Sequence, residues 1–181
     1  MGSRDQENVL AEIGQLLVTW NNVEDNLRLL LMEICGGETP GNKILTAELN
    51  GVTLVSALRS AANEILPDDL ALAIDSAAIR FDELRNHRNH FVHGARGVED
   101  TVPYRALLKR TTARRELTIY DEKIVNIEIR DLTELIAVVG VEALTLLLDV
   151  KAHRQGKPYT SPKTHGWHPL PKIGSRTRKI C

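Results

Sequence analysis

Between residues 13 and 34 the apolar side chains recur at spacings of three and four: Ile13, Leu16, Leu17, Trp20, Val23, Leu27, Leu30, Leu31 and Ile34. That period predicts one amphipathic helix of about six turns with a single buried stripe. Gly36-Gly37 predicts its end, because glycine accepts the left-handed backbone that closes helices. Glu24 falls inside the stripe, and a carboxylate on a buried face requires a cation or hydrogen-bond donor beside it.

A second, less regular helical region carries Ile44, Leu45, Leu49, Val52, Val55, Leu58, Ala62 and Ile65 on its apolar side, with a break expected near Asn50-Gly51. Pro67 ends it, and Asp68 or Asp69 is suited to cap the next helix. The third stripe runs Leu70, Ile74, Ala77, Phe81, Leu84 and then Arg88, with Gly94 expected as the closing cap. Arg88 stands where the period calls for an apolar residue, which makes it a candidate partner for Glu24. The pattern then changes. Segments 102–109, 115–120 and 123–129 are rich in Val, Ile, Leu, Thr and Tyr, and alternation in Leu117/Ile119 and in Val125/Ile127/Ile129 predicts strands, with a tight turn at Tyr120-Asp121-Glu122-Lys123. A last helix is expected from Asp131, with Glu134 completing a capping box. Its stripe is Leu132, Leu135, Ile136, Val139, Ala143, Leu146, Leu147 and Val150. The fold class expected is mainly α: an antiparallel four-helix bundle with a small antiparallel β hairpin or meander inserted before the last helix. One domain over residues 1–153, with its insert at about 102–129, is followed by a tail over 154–181.

Composition adds one asymmetry. The chain of 181 residues has a formal net charge of −1, yet its 24 Asp/Glu all precede residue 151 while eight Lys/Arg follow residue 150. The tail therefore pairs basic charge with four of the seven prolines, a composition that disfavours regular structure and suits contact with a polyanion or with the acidic body. Lys151 and Arg154, at its root, are candidate substrate-binding cations. Cys35 and Cys181 make neither a disulfide framework nor a metal knuckle. Apolar runs are short of a membrane span, and the segment after Met1 lacks the form of a signal peptide, so a cytoplasmic chain is expected.

The densest chemistry lies at residues 85–94, Arg-Asn-His-Arg-Asn-His-Phe-Val-His-Gly. It holds Arg-Asn-x-x-x-His twice, as Arg85/Asn86/His90 and as Arg88/Asn89/His93. On a helix Asn89 and His93 share a face, and the neighbouring arginine can fork onto a phosphate held near the imidazole. Histidine moves protons near neutral pH. RNA cleavage without metal needs a base for the 2′-hydroxyl, an acid for the leaving oxygen and a cation for the developing charge. A structural reading stands beside this: Arg88 and Glu24 as a buried ion pair, with Asn89 and His93 at a helix end. The three histidines diverge around the helix with no cysteine nearby, so neither a metal site nor a cofactor is expected.

A bundle whose third helix ends in Arg88-Asn89-x-x-x-His93-Gly94 resembles the HEPN superfamily of nucleic-acid-associated helical domains, over roughly residues 5–153. The pattern Trp20-Asn-Asn-Val-Glu24 is similar to a group of bacterial HEPN-like proteins that also carry a late Arg-Asn…His-Gly. The resemblance implies a homodimer in which Arg88, Asn89 and His93 are catalytic, supported by Glu24, Arg85 and His90. It implies a metal-independent endoribonuclease of toxin or defence type, with RNA as substrate and an antitoxin or a nucleotidyltransferase-like protein as partner. The alternative it leaves open is a non-catalytic binding or dimerisation module.

Overall fold

The computed structural model describes residues 2–93, 95–99, 102–111, 116–123, 126–160 and 176–179. The chain is mainly helical: α1 (Gly2–Ile34), α2 (Pro40–Ala47), α3 (Gly51–Ile65), α4 (Asp68–His93) and α5 (Asn126–Arg154) account for most of it. Four strands are described, β1 (Ala95–Glu99), β2 (Val102–Thr111), β3 (Glu116–Lys123) and β4 (Arg176–Lys179). The residues fall into two compact units, one of Met1–Leu17, Asn86–Thr133 and Trp167–Cys181, the other of Val18–Arg85 and Glu134–Gly166.

In the second unit the expected stripe of α1 is the buried one. Trp20, Val23, Leu27, Leu30 and Ile34 lie in the core. The helix ends as Gly36-Gly37 predicts. Gly37 N–H donates to the Met32 carbonyl at 2.8 Å and Gly36 N–H to the Glu33 carbonyl at 3.2 Å, and Gly36 takes φ +112°. Two otherwise orphaned carbonyls are thereby satisfied, the paired-bond closure that a left-handed residue permits. Gly156 (φ +64°) closes α5 in the same way, through Gly156 N–H to His153 O and Lys157 N–H to Ala152 O.

The region between Gly37 and Pro67 departs from its expected face. Asn50 does break it, accepting hydrogen bonds from the N–H groups of Val52 and Thr53 as the cap of α3. Two helices with independent phases result, so one stripe drawn across both is wrong for half its members. Ile44, Leu45, Val52 and Ile65 are exposed, while Leu54, Val55, Leu58, Ala62 and Leu66 are buried.

The break also sets the direction of each later helix. Asn42 at the start of α2 donates to the carbonyls of Cys35 and Gly37, whereas Leu49, past its end, receives Arg28; α2 therefore returns along α1. Arg59 of α3 pairs with Asp75 of α4, and Gly51 lies beside Phe81 and Arg85, so those two run oppositely. Arg80 pairs with Glu142, and Asp69 near the start of α4 meets Tyr159 beyond the end of α5, so α4 and α5 are also opposed. Asn26 meets Gly140 and Glu33 meets Arg154, which sets α1 and α5 in the same direction. Four helices in strict up-and-down order would oppose the first and last. The extra reversal supplied by α2 makes them parallel.

In the first unit Ile13, Leu16, Ile129 and Leu132 are buried. Arg130 places Nε and Nη2 each 2.6 Å from Glu12 Oε1, and that carboxylate raises the guanidinium's pKa through its hydrogen bond and then its charge. The strands form one antiparallel sheet in the order β1-β2-β3-β4. In its registers Leu107 faces Tyr120, and Tyr120 faces Thr177 of β4. The expected turn at residues 120–123 is thus part of a strand. The expected strand over 123–129 is also corrected, because α5 already begins at Asn126. Ile129 is spaced three and seven from Leu132 and Ile136, and it joins their buried helical face rather than an alternating one. Asp131 and Glu134 consequently lie inside α5, not at its cap. The tail contributes Arg154 to α5 and residues 176–179 to the sheet. The expected cap at Gly94 lies outside the described residues.

Candidate functional site

All of residues 85–93 lie in the last turns of α4. There the two overlapping Arg-Asn-x-x-x-His copies meet different surroundings. Arg88 is half-buried, and its Nη1 donates to Asn89 Oδ1 at 3.0 Å. This bond between neighbours orients the guanidinium fork with an amide oxygen. Helical geometry sets Asn89 and His93 on one face, and His93 is the last helical residue. The side chains of His90 and His93 lie outside the described residues.

Arg85, from the first copy, turns instead to its own helix. Its Nε donates to Asp82 Oδ1 at 2.9 Å and its Nη2 lies 2.8 Å from the same oxygen. Its Cδ also packs over Gly51: a Cβ built there would sit 3.1 Å from Arg85 Cδ, 3.1 Å from Glu24 Oε1 and 3.8 Å from Phe81 Cε1. The first turn of α3 thus comes close to α1 and α4 because residue 51 has no side chain.

Glu24 is half-buried, as its place in the stripe predicts. Within its unit it pairs with Arg28, Nη2 to Oε2 at 3.7 Å. The same Nη2 donates to the Leu49 carbonyl at 3.2 Å, and Nη1 donates to Asp25 at 2.9 Å. Glu24 and Arg28 therefore tie α1 to the α2–α3 junction. Arg28, one turn along the same helix, is a cation beside Glu24 that the sequence spacing did not single out. Arg154 is engaged at the end of α1, where Nη1 donates to the Glu33 carbonyl at 3.0 Å and to Glu33 Oε1 at 2.7 Å. A cation at a helix C-terminus is favoured there by the helix dipole as well as by the carboxylate. Lys151 is half-buried in the last turn of α5. Among the described residues no three His, Cys, Asp or Glu side chains converge as a metal site would require.

Two polar centres were not anticipated from the sequence. Arg80, 8% exposed, pairs through Nη2 with Glu142 Oε1 and joins α4 to α5. Its signal was present: Arg80 stands three residues after Ala77 and four before Leu84, both buried. Asp149 is equally buried, three residues after Leu146, and its Oδ2 has no hydrogen-bond partner among the described residues. Nearby, Tyr159 donates its hydroxyl to Asp69, at 3.1 and 3.2 Å from the two carboxylate oxygens. The phenol's pKa is raised first by burial, then by that hydrogen bond and by the charges of Asp69 and Asp149.

Asp149 makes stability pH-dependent. Burial raises its carboxyl pKa, and the Thr160 N–H only partly opposes this. A carboxyl raised in the folded state favours folding below its unfolded pKa of about 4, and this contribution is lost as pH rises through the folded value. Asp149→Asn should therefore gain stability relative to the wild type between pH of about 4 and about 7. Urea unfolding at the two pH values checks this; an equal offset at both would assign the dependence to other groups.

No protein-family model matches the chain, no curated protein matches it, and no solved structure matches it. No described helix is long and apolar enough to cross a membrane.

Proposed function

We propose that this chain is a HEPN-like, RNA-associated domain, a four-helix bundle with a β insert before its last long helix, which cleaves RNA without metal as a homodimer. The observation that supports the reading is the Arg88 Nη1 to Asn89 Oδ1 hydrogen bond in the final turns of α4, one helical turn before His93. It presents a guanidinium of set orientation on the same helix end as an imidazole. In the proposed step His93 takes the proton of a ribose 2′-hydroxyl, and that oxygen attacks the adjacent phosphorus. The P–O5′ bond breaks, leaving a 2′,3′-cyclic phosphate on one fragment. The 5′-oxygen leaves with a proton from the second protomer's imidazole or from water. Arg88 binds the phosphate as its charge grows.

The test is RNA integrity and growth after expression, together with cleavage by purified protein in EDTA. The wild type should degrade RNA and arrest growth. His93→Ala should abolish both, with an unchanged circular dichroism spectrum and melting temperature, while Arg88→Ala should lower cleavage by about 100-fold or more. Inert wild-type protein across varied RNAs would overturn the reading.

The second reading is a non-catalytic binding module, with an antitoxin or nucleotidyltransferase-like protein as partner and the Arg88–Glu24 relation structural. It draws support from the way Glu24 and Arg85 close over Gly51, a packing arrangement in its own right. Under it, Arg88→Ala lowers stability, and His93→Ala changes no activity.

A further inference from the structure

Helix α5 carries a second apolar face, turned away from the first. Ile136, Val139, Ala143 and Val150 fill the core, but Val138, Val141 and Leu148 are 63%, 66% and 65% exposed. Glu134, Val138, Val141, Thr145, Leu148 and Ala152 follow one another at spacings of four, three, four, three and four. That is the repeat of a coiled-coil seam, in which every third or fourth residue meets a partner helix. Thr145 fits it as well, since its hydroxyl is turned back onto the Val141 carbonyl at 3.0 Å. Leu144 widens the strip.

Charge selects the occupant. Exposed Glu134 stands at the N-terminal end of the seam and Lys151 at its C-terminal end. The seam positions are also symmetric about residue 143, with 138 matching 148 and 141 matching 145. Two copies packed with their α5 helices parallel would set Glu134 against Glu134. Packed antiparallel, each Glu134 reaches the Lys151 end of the other copy, Val138 meets Leu148, and Val141 meets the methyl-bearing Thr145. The exposed strip offers roughly 500 Å² per copy, so roughly 1,000 Å² in total, the lower bound for a specific interface and the size of a weak, reversible one.

We propose that this face of α5 is an isologous interface between two copies of the chain, antiparallel across a two-fold axis near residue 143. The inference rests on the proposed function for its homodimer and deepens that reading by placing the contact between the two copies on this face of α5. Lys151 closes the seam at its C-terminal end.

Sedimentation equilibrium of the full chain from about 1 to about 100 μM tests it. The wild type should dimerise in this range. Val141→Glu sets two carboxylates near the axis and should weaken association by about 100-fold or more, at a position too exposed to disturb folding. Leu148→Gln adds no charge and should act in the same direction, which covers a Val141 variant that fails to fold. Glu134→Lys should weaken the dimer about 10-fold, and Glu134→Lys with Lys151→Glu should restore it. A wild type monomeric at about 100 μM leaves the face to another protein and overturns the proposal. So does a dimer indifferent to both seam variants, or a charge reversal without rescue. RNA cleavage is measured separately: a dimer that the seam variants break but that cleaves no RNA overturns the RNA reading alone, and cleavage by a dimer that ignores those variants overturns this inference alone.

Discussion

Phe81→Ala is expected to destabilise the protein by about 3–5 kcal/mol, out of the 5–15 kcal/mol that holds a typical domain folded. Phe81 is fully buried, and its ring stacks on that of Trp20 with centroids 4.3 Å apart and planes 20° from parallel. In a chain with only 4% aromatic residues, this pair concentrates apolar area where α1 meets α4. Truncation loses the transfer energy of the ring and leaves a void bounded by Trp20 and the first turn of α3, whose Gly51 comes close to Phe81 Cε1. Helix backbones on three sides limit its collapse. Phe81→Leu, which retains most of the volume, should cost far less. A cycle with Trp20→Ala should give a coupling of about 0.5–1.5 kcal/mol for the stacked pair. Urea unfolding measures all three, and a loss under about 1 kcal/mol for Phe81→Ala would mean the site refills.

Gly140→Ala should destabilise by about 1–2 kcal/mol, although alanine is the better helix former by about 1 kcal/mol. A Cβ at residue 140 would lie 2.8 Å from Val23 Cγ2. Val23 is 2% exposed and β-branched, so its side chain has no alternative rotamer to swing into. The helices themselves must part. This also stretches the 3.3 Å hydrogen bond from Asn26 Nδ2 to the Gly140 carbonyl. Gly14→Ala is the internal control. Nothing lies within 4 Å of a Cβ there, so the same substitution should stabilise by about 0.4–1 kcal/mol. Opposite signs for the two variants in thermal melts would confirm that close approach at α1–α5, rather than helix propensity, decides the outcome. Two gains would refute it.

Much of the helical layout was legible because helix periodicity is a local property. The stripe from Ile13 to Ile34 and that from Leu132 to Val150 each report their own helix, and all their members are buried except half-buried Leu17 and Leu135. Gly36 was legible for a similar reason, since the closure of α1 needs a backbone angle that few residues other than glycine adopt. Asn50 announced a break. What it did not announce was that the break starts a new helix in a new direction and phase, which exposes Ile44, Leu45, Val52 and Ile65. The Val125/Ile127/Ile129 alternation is too short to distinguish a strand from the first turn of a helix. Continuity with Leu132 and Ile136 decided it.

The candidate site divides along the same line. The sequence by itself determined that residues 85–93 end a helix, that Asn89 and His93 share a face, and that Glu24 lies within an apolar stripe. Only the tertiary structure decided the company each side chain has. Arg85 packs over Gly51, Arg28 beside Glu24 reaches the Leu49 carbonyl, Arg154 reaches Glu33, and Arg80 reaches Glu142 sixty-two residues away. The physical reason is one of range. The angle between successive residues on a helix is set by the backbone, so the face on which a residue falls can be counted from its neighbours. The charge or ring that comes to rest beside it depends on which distant segment the burial of apolar area brings there.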